Sequence, residues 1–478
     1  MFNKVSKIIF IAAFIIIILL PLFCTNLKPN VISKMENRKL ANFPKLYDGE
    51  ELNEKYISDF ENWFNDNVGL RELLFKMNSK IQYDIFNNSS VEKVIVGREG
   101  WLFYTGDNNI KIATGEYPNF GEEELRDICQ QQVEIQKRLS EQGIEYVLLL
   151  PPSKVSIYPE YLRGNFAVTQ TPVDILADYL EEHSDIKVIR IKPALLQEKE
   201  YADNLLYFKT DTHWNAYGCY IAYNAIVNKL NEWNLVDAAP AEVDFIEAAR
   251  KGDMTGRMVD MNEKYYENNI SDYKVLNATA TQITEGEMYD SIQKYVSGRT
   301  IGRGDYYENA NKELTTSFVV FGDSMFMNWL EPLMAENCSN LACIWSPNIT
   351  QEAINLIKPD VVFLEVTERN LNKLCSYSHE LITTSVTVVD SNILDITCCD
   401  YGQYNMMWFP VWSEENGQDD LVWYEGERID DSTWHIAIEL NEHHTNGCYN
   451  IHFYQGSTSK EEAQHVFDTT YDVGVLFD

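Results

Sequence analysis

Hydrophobic positions follow a different spacing in successive segments of the chain. Residues 8–24 form a run of seventeen residues without a charge, which is just long enough to cross a bilayer as a helix. After a polar, proline-containing stretch, residues 53–86 place aromatic and aliphatic side chains at helical spacing. The pattern therefore predicts a transmembrane helix over residues 1–24, followed by a linker and helical lead-in over residues 25–84.

From residue 85 to residue 387, amphipathic helices alternate with short apolar runs. The stretch "EEELRDICQQQVEIQKRLSEQG" has one apolar stripe, whereas "EYVLLLPP", "FVVFG" and "VVFLEV" are apolar at almost every position. Strands that are covered on both faces have this continuous pattern. We therefore expect a flavodoxin-like α/β domain over residues 85–387, with a parallel sheet and helices on both faces. Residues 235–312 have weak periodicity and predict long loops over that sheet.

Two further patterns predict antiparallel strands. In "VIVGREGWLFY" two apolar runs flank Gly-Arg-Glu-Gly, which is typical of a β hairpin, and Trp101 and Tyr104 are expected in its core. Beyond residue 388 the chain changes to short aromatic and β-branched runs separated by turn residues. This pattern predicts an all-β sandwich over residues 388–478.

The charge balance limits the partners. The chain has 39 Lys and Arg against 73 Asp and Glu, a formal net charge of −34. Nucleic-acid binding requires concentrated positive charge, so no nucleic-acid partner is expected.

The N-terminal segment indicates a location. Lys4 and Lys7 precede the apolar run, which favours a cytosolic N-terminus with the remaining chain outside the cell membrane. A retained single-pass anchor is favoured over a cleaved signal peptide, because no small-residue cleavage pattern follows. Lipidation of Cys24 is the alternative, although Phe23 stands where a small residue is usual.

Eight further cysteines show neither a CxxC pair nor regular spacing, so no metal site and no cofactor are predicted from them. Buried free thiols and one or two disulfides both remain open. These residues are Cys129, Cys219, Cys338, Cys343, Cys375, Cys398, Cys399 and Cys448.

A first candidate for chemistry is the serine in "VVFGDSMF". Ser324 follows an apolar strand and precedes a predicted helix, so it falls at the carboxyl end of the sheet, where open α/β folds place their active sites. The amides of the helix N-terminus could stabilise an oxyanion there. The alternative is that Asp323 or Ser324 only caps the helix.

The second candidate is the pair in "KTDTHWNAYG". In extended backbone, Asp211 and His213 project to the same face, so Asp211 could hold Nδ1 of His213 while Nε2 faces a serine. Asn215 is the expected N-cap of the helix that follows. The alternative is a loop histidine that is bonded locally to an aspartate.

Several motifs together resemble the SGNH-hydrolase-like acetyltransferases of the alginate O-acetylation family (AlgX/AlgJ-like). Over about residues 30–385 the chain has, in the family's order, "ENRKLANFP", "DNVGLRELL", "VIVGREGWLFY", "LLLPPSKVSIYPEYL", "YFKTDTHWNAYG", "VVFGDSMF" and "VTERNL". Each motif alone is short, and their combination carries the resemblance.

The resemblance implies an SGNH-hydrolase-like fold and a catalytic triad, with Ser324 as nucleophile, His213 as base and Asp211 as its orienting partner. Asp and His precede Ser here, an order that marks a permuted branch of SGNH enzymes. It also implies an O-acetyltransferase that acts on hydroxyls of an exported or cell-wall polysaccharide, with a membrane-bound O-acyltransferase as acetyl donor.

Three weaker candidates for substrate binding come from the same motifs. Arg369 in "VTERNL" could contact a sugar or acyl oxygen, or be salt-bridged for structure. Lys154 after "LLLPPS" could reach the substrate or remain a solvated loop residue. Trp214 could stack on a sugar ring, or pack in the interior.

The C-terminal segment "FPVWSEENGQDDLVWYEG…HHTNGCYNIHFY" resembles the group B streptococcal Bsp-like repeat. The resemblance implies a β-sandwich module of secreted or wall-associated Gram-positive proteins, which binds wall glycan or a partner protein. His443, His444 and His452 lie in this segment, and no accompanying ligand pattern indicates a metal site.

Other functions use the same residues. A secreted carbohydrate acetylesterase would pass the acetyl group to water. A catalytically idle scaffold would only bind glycan or recruit the acylation machinery. Transfer of another acyl group, such as D-alanine to teichoic acid, is a further alternative.

Overall fold

The computed structural model describes residues 4–33, 38–48, 51–53, 55–89, 93–116, 120–164, 170–255, 266–296, 303–376, 383–389, 392–400, 405–414, 417–430, 433–443, 447–456, 459–460 and 463–473. Within these ranges the α-helices are α1 (Lys4–Phe23), α2 (Tyr56–Asn67), α3 (Arg71–Phe86), α4 (Asn109–Ala113), α5 (Glu122–Glu141), α6 (Lys154–Ile157), α7 (Pro172–His183), α8 (Lys192–Tyr201), α9 (Ala216–Glu232), α10 (Glu287–Ile292), α11 (Ser324–Met327), α12 (Leu330–Ala335) and α13 (Gln351–Ile357).

In the described part of the chain the strands fall into seven sheets. In chain order they are β1 (Ile32–Ser33), β2 (Arg38–Lys39), β3 (Tyr47–Asp48), β4 (Glu51–Leu52), β5 (Val94–Val96), β6 (Leu102–Tyr104), β7 (Glu145–Leu150), β8 (Lys187–Arg190), β9 (Val243–Arg250), β10 (Glu267–Val275), β11 (Ala280–Ile283), β12 (Gly304–Asn309), β13 (Phe318–Gly322), β14 (Asn340–Trp345), β15 (Val361–Glu365), β16 (Thr383–Val389), β17 (Ile393–Cys399), β18 (Met407–Ser413), β19 (Val422–Glu425), β20 (Glu427–Arg428), β21 (Thr433–Glu439), β22 (Cys448–Gln455) and β23 (Gln464–Asp472).

A seven-stranded sheet forms the centre of the α/β unit, in the order β11-β12-β14-β13-β15-β7-β8. The five strands from β14 to β8 are parallel, as expected, because their side chains are buried on both faces. On β13, for example, Phe318 and Val320 join one hydrophobic core while Val319 and Phe321 join the other. The first core is covered by α9 and α12 and the second by α5, α7 and α13, so the predicted helices on both faces are confirmed.

The sheet is mixed, because two antiparallel strands extend the predicted parallel sheet at one edge. Strands β11 and β12 pair antiparallel with each other, and β12 pairs antiparallel with β14. Residues 235–312 were expected to form loops, yet they contain both of these strands and the antiparallel hairpin of β9 and β10. These strands carry many polar or exposed side chains, so they lack the continuous apolar pattern by which buried strands are recognised.

The order of the parallel strands is a circular permutation of a common fold. If counting begins at β13 and proceeds through β14, β15, β7 and β8, the spatial order is 2-1-3-4-5, which is that of flavodoxin-like sheets. The chain thus enters the sheet at its fourth strand. This arrangement agrees with the expected flavodoxin-like, permuted α/β fold.

The C-terminal part is a β-sandwich, as predicted. One antiparallel sheet has the order β16-β17-β21-β20 and the other β19-β18-β22-β23, with a buried core between them. Strand β16 spans the expected domain boundary at residue 388. His443 is buried in this unit, where its ring nitrogens contact Asp420 and Tyr424, whereas His444 lies outside the described residues.

The first helix matches the apolar run. Within α1, the window Ser6–Phe23 has a mean hydropathy of 2.7 and is not buried against the protein. By length and composition this helix could cross a membrane or serve as a signal sequence.

Eight of the cysteines have free thiols: Cys24, Cys129, Cys219, Cys338, Cys343, Cys398, Cys399 and Cys448.

Candidate active site

The serine lies where β13 ends. Asp323 is the N-cap of α11, and its Oδ1 accepts a hydrogen bond of 2.8 Å from the amide of Met325. The amide of Asp323 donates to Oε2 of Glu365, 2.7 Å away at the end of the neighbouring strand β15. Asp323 therefore caps the helix, and the hydroxyl of Ser324 is directed elsewhere. The single helix predicted after the serine is divided into two short helices, α11 and α12.

The aspartate and histidine lie in a short loop. An isolated β-bridge between Tyr207 and Trp214 closes the loop, and residues 209–213 have the non-helical backbone that the hypothesis requires. Asn215 caps α9, as predicted, because its Oδ1 accepts a 2.8 Å hydrogen bond from the amide of Gly218.

The structure brings the three candidate residues together. His213 Nε2 lies 2.8 Å from Ser324 Oγ, and His213 Nδ1 lies 2.6 Å from Asp211 Oδ1. Both distances are those of hydrogen bonds. Asp211 is 2% exposed and His213 9%, so the chain of hydrogen bonds is largely shielded from water. A neutral imidazole in this position can accept the hydroxyl proton of Ser324.

The environment of Asp211 keeps its carboxylate ionised. Oδ2 accepts hydrogen bonds from Arg250 Nη2 at 3.2 Å and from the amide of Asp253 at 3.1 Å. Burial acts to raise the pKa of Asp211, but hydrogen bonds and charge from His213, with the charge of Arg250, lower it to about 2. A negative Asp211 can fix the ring of His213 and stabilise an imidazolium.

A second carboxyl group lies behind the serine turn. Burial and the neighbouring charge of Asp323 raise the pKa of Glu365 well above its ordinary value. The hydroxyl of Thr367 lies 3.0 Å from carboxyl oxygens of both Asp323 and Glu365. The buried carboxyl group of Glu365 therefore accepts hydrogen bonds from the amide of Asp323 and the hydroxyl of Thr367, in surroundings that favour its neutral form.

The serine and histidine line a cavity of about 730 Å³. Other residues around it include Tyr104, Arg303 and Trp345. A second cavity, of about 560 Å³, also contacts His213 and is lined by Arg250, Tyr273 and Trp329. A larger cavity, of about 920 Å³, lies beside α8 and contains neither His213 nor Ser324, so size alone does not mark the candidate site.

The three weaker candidates have different positions. Arg369 lines the cavity of Ser324, and its Nη2 lies 3.8 Å from Asp323 Oδ2. Trp214 is fully buried in the core and has no free face for a sugar ring. Lys154 is 4% exposed and its Nζ donates to backbone carbonyls. Direct substrate contact by Trp214 or Lys154 is therefore not supported, nor is a solvated Lys154.

The hairpin prediction is confirmed for β5 and β6, with one correction. Trp101 is buried in the core, but Tyr104 is half-buried and lines the cavity of Ser324. Tyr104 is the last residue of β6, whose other two residues are buried.

Two residues that contact the Asp211 loop were not predicted from the sequence. Arg250 ends β9 and reaches Asp211, and Glu267 begins β10 and accepts hydrogen bonds from the amides of Lys209 and Thr210. Both lie in the region predicted as loops, where no periodic pattern marked them. Arg250 and Glu267 reach Asp211 and its loop only because the hairpin of β9 and β10 packs against that loop, a tertiary contact that the local sequence does not indicate.

One group of side chains in the described part of the chain has the proximity needed to hold a metal ion. Ligand atoms of Asp211, His213 and Asp253 lie within 4.8 Å of one another. His213 Nδ1 is already hydrogen-bonded to Asp211, and the Asp253 carboxylate accepts hydrogen bonds from the amide and hydroxyl of Thr212. As they stand, these groups act as a hydrogen-bonded unit around His213.

Residues 94–296 match the SGNH hydrolase-like domain of acetyltransferase AlgX. Residues 389–471 match the GBS Bsp-like repeat. Both resemblances inferred from the motifs are thereby confirmed. The first match includes Asp211 and His213 and ends before Ser324.

Curated relatives include proteins named probable alginate O-acetylase AlgJ. The protein of Pseudomonas syringae pv. tomato is 25% identical over 256 residues, which is 52% of this chain and 59% of the relative. That of Pseudomonas fluorescens is 24% identical over 265 residues, 53% of this chain and 63% of the relative. The chain thus spans about three fifths of the length of these relatives.

Solved structures with similarity include the O-acetyltransferase domain of Pseudomonas putida AlgJ, at 17% identity and a TM-score of 0.38, covering 58% of this chain and 92% of that one. Bacillus cereus PatB1 has 17% identity and a TM-score of 0.41, covering 58% and 96%.

Proposed function

We propose that this protein is an O-acetyltransferase that uses Ser324, His213 and Asp211 to acetylate hydroxyl groups of a polysaccharide. The observation that carries the proposal is the pair of hydrogen-bond distances at His213, 2.8 Å to Ser324 Oγ and 2.6 Å to Asp211 Oδ1. The match of residues 94–296 to an acetyltransferase domain, and relatives named probable alginate O-acetylase, support the acetyl group as the unit transferred.

The first half-reaction acylates the enzyme. His213 Nε2 takes the proton of Ser324 while Oγ attacks the acetyl carbonyl carbon of the donor. The tetrahedral intermediate then collapses, the bond to the donor oxygen breaks, and His213 returns its proton to that oxygen. Asp211 stabilises the imidazolium throughout and is not itself protonated.

The second half-reaction reverses these roles. A sugar hydroxyl takes the place of the donor, His213 accepts its proton, and the sugar oxygen attacks the acetyl-serine. The ester forms on the sugar, and His213 gives the proton back to Ser324. Arg369, which lines the same cavity, is proposed to contact a sugar or acyl oxygen.

The N-terminal helix fits a role at a membrane. We place α1 across the cell membrane with the N-terminus in the cytosol, so that the α/β unit lies outside, beside a membrane-bound O-acyltransferase that supplies acetyl groups. The apolar window Ser6–Phe23 supports this placement by length and composition. The acceptor is then an exported or cell-wall polysaccharide, and the Bsp-like sandwich is an accessory module.

The test uses the full-length protein in detergent with an activated acetyl ester and an oligosaccharide acceptor. We expect acetylated sugar as product, and Ser324→Ala should abolish its formation. Release of acetate at a rate unaffected by the sugar, with no acetylated sugar, would instead identify an acetylesterase. If polysaccharide acetylation in cells survives Ser324→Ala, the triad is not used and the scaffold alternative stands. Transfer of D-alanine in place of acetyl would identify another acyl donor.

A further inference from the structure

Lys154 is a buried cation for which the proposed acyl transfer has no use. It is the first residue of α6 and only 4% exposed. Burial lowers the pKa of Lys154 to about 7, against the attraction of Asp211, Asp253 and Glu267. Because lysines are almost never fully buried without partners, its position calls for an explanation.

Three backbone carbonyls surround its ammonium group. Lys154 Nζ donates to the carbonyl oxygens of Phe208 at 3.2 Å, Lys209 at 3.0 Å and Asp211 at 2.7 Å. An ammonium group has three N–H donors and no acceptor, so each donor meets one carbonyl. All three carbonyls belong to the loop that carries Asp211 and His213. The carbonyl of Lys209 also accepts a 2.9 Å hydrogen bond from the amide of Leu102. A buried carbonyl without a donor costs about 1–3 kcal/mol, so the loop depends on Lys154 chiefly through the carbonyls of Phe208 and Asp211.

The other side of α6 is fixed to a different loop. Glu368, which is fully buried after β15, accepts hydrogen bonds from the amide of Ser153 at 2.9 Å and from the hydroxyl of Ser156 at 2.5 Å. The helix thus connects the "VTERNL" segment to the loop of Asp211. Lys154 of the sequence motif "LLLPPSK" and Glu368 of "VTERNL" thus belong to one buried hydrogen-bond network next to the histidine loop.

We propose that Lys154 is a positioning residue for the base: by holding the backbone of residues 208–211, it keeps Asp211 and His213 in the geometry that reaches Ser324. This inference rests on the proposed use of His213 as the base. Lys154 does not line the cavity of Ser324, so its loss should reduce kcat for a small acetyl ester and leave KM nearly unchanged. A displacement of the base by about 1 Å is enough for a loss on the order of 100-fold.

The experiment compares Lys154→Met with Lys192→Met in the full-length protein. Lys192 is a matched control because it is 7% exposed and its Nζ bonds to Asp174 and Thr171, at the start of α7. We expect Lys154→Met to lower kcat at least about tenfold with KM within about twofold. Lys192→Met should lower Tm comparably and retain kcat. Retention of kcat by Lys154→Met, or an equal loss in Lys192→Met, overturns the proposal.

A double-mutant cycle tests whether Lys154 acts through the histidine. In a His213→Ala background, Lys154→Met should change the residual rate by less than about twofold, because the group that it positions is gone. A full multiplicative loss contradicts the proposal. If Lys154→Met does not fold, Lys154→Gln serves instead, since it keeps two of the three N–H donors; we expect a kcat between those of the wild type and His213→Ala, and a wild-type kcat overturns the proposal.

Hydrogen exchange separates this inference from the proposed function. The amides of residues 208–215 should exchange faster in the Lys154 variant, while those of α7 are unchanged. Persistence of acetyl transfer in Ser324→Ala would end the proposed function without affecting this measurement. Unchanged exchange in residues 208–215 would end the positioning role.

Discussion

The nucleophile and the base of the candidate site are held in place by different means. Ser324 follows β13, which is paired on both sides by parallel strands, and its turn is closed by Asp323 and Glu365. His213 lies in a loop that depends on side chains from elsewhere in the chain, among them Lys154 and Glu267. A residue at the end of a central strand is positioned by the regular backbone pairing of that strand. A loop needs specific partners, so the base side should be the more sensitive to single substitutions.

Removal of either reacting group, the hydroxyl of Ser324 or the imidazole of His213, should lower kcat by a similar factor. Ser324→Ala and His213→Ala should each lower kcat for an activated acetyl ester by about 10³-fold or more, because proton transfer and nucleophilic attack form one unit. The double variant should lose little beyond either single one. Steady-state kinetics on the three proteins checks this, and a double variant whose loss is the product of the two would show that the residues act independently.

Substitution of one glycine on each side tests how well the structure around the base and around the nucleophile accommodates an added methyl group. A Cβ on Gly218 would lie 2.0 Å from the carbonyl oxygen of Leu206, which is backbone beside the histidine loop. A Cβ on Gly322 would lie 2.7 Å from Oε2 of Glu365, the mobile end of that side chain, and 2.9 Å from its Cβ, so both contacts are longer than the one at Gly218 and neither is with backbone. We expect Gly218→Ala to cost about 3 kcal/mol of unfolding free energy and Gly322→Ala about 1–2 kcal/mol. Urea unfolding measures both, and the reverse order would contradict the comparison.

Acid should weaken the base side through Asp211. Its pKa is lowered from an ordinary value of 3.8 to about 2 in the folded protein. The stability that this shift provides is present above the unfolded-state pKa and is lost as the pH falls through the folded-state pKa. A shift of this size corresponds to about 2 kcal/mol.

Urea midpoints measured between pH 5 and pH 2 test this prediction, with Asp211→Asn as the comparison. The wild type should lose stability more steeply than the variant between pH 4 and pH 2. Parallel curves would mean that Asp211 is not held in its ionised form by the fold.

The smallest expected effect is a difference in stability between Glu267→Gln on the base side and Glu365→Gln on the nucleophile side. Glu267 accepts hydrogen bonds from the amide of Lys209 at 2.7 Å and from the amide and hydroxyl of Thr210 at 2.8 and 2.6 Å. Glu267→Gln turns one accepting oxygen into a donor, at a cost of about 1 kcal/mol. Glu365→Gln should cost less, because burial and the charge of Asp323 raise the pKa of Glu365 and so favour a neutral side chain at this position. Thermal unfolding of the two variants checks the order; a larger loss in Glu365→Gln would show a charged Glu365.

The sequence predicted the parts whose structure follows from local pattern. Strand β13 is apolar at every position because both of its faces are buried, and this pattern located the serine. Asn215 indicated the start of α9, because asparagine is a common N-cap residue and its side chain does cap this helix. The spacing of Asp211 and His213 required only non-helical backbone for the two side chains to meet.

The remaining parts depend on contacts between distant segments. Strands β9 to β12 carry polar or exposed residues, so their pairing could not be recognised before the sheet was known. Lys154 and Trp214 lie in segments that resemble surface loops, and burial by other elements removed them from solvent. Arg250 reaches Asp211 only because the hairpin of β9 and β10 turns toward that loop.

The permuted strand order has a consequence for the growing chain. Strand β7, beside which the histidine loop forms, pairs with β15, and β15 follows it by about two hundred residues. The N-terminal half of the α/β unit therefore leaves the ribosome with one side of β7 uncovered and with no serine to activate. Ser324 and the strands beside it are the last to arrive, so acyl chemistry can begin only after nearly the whole α/β unit has been synthesised.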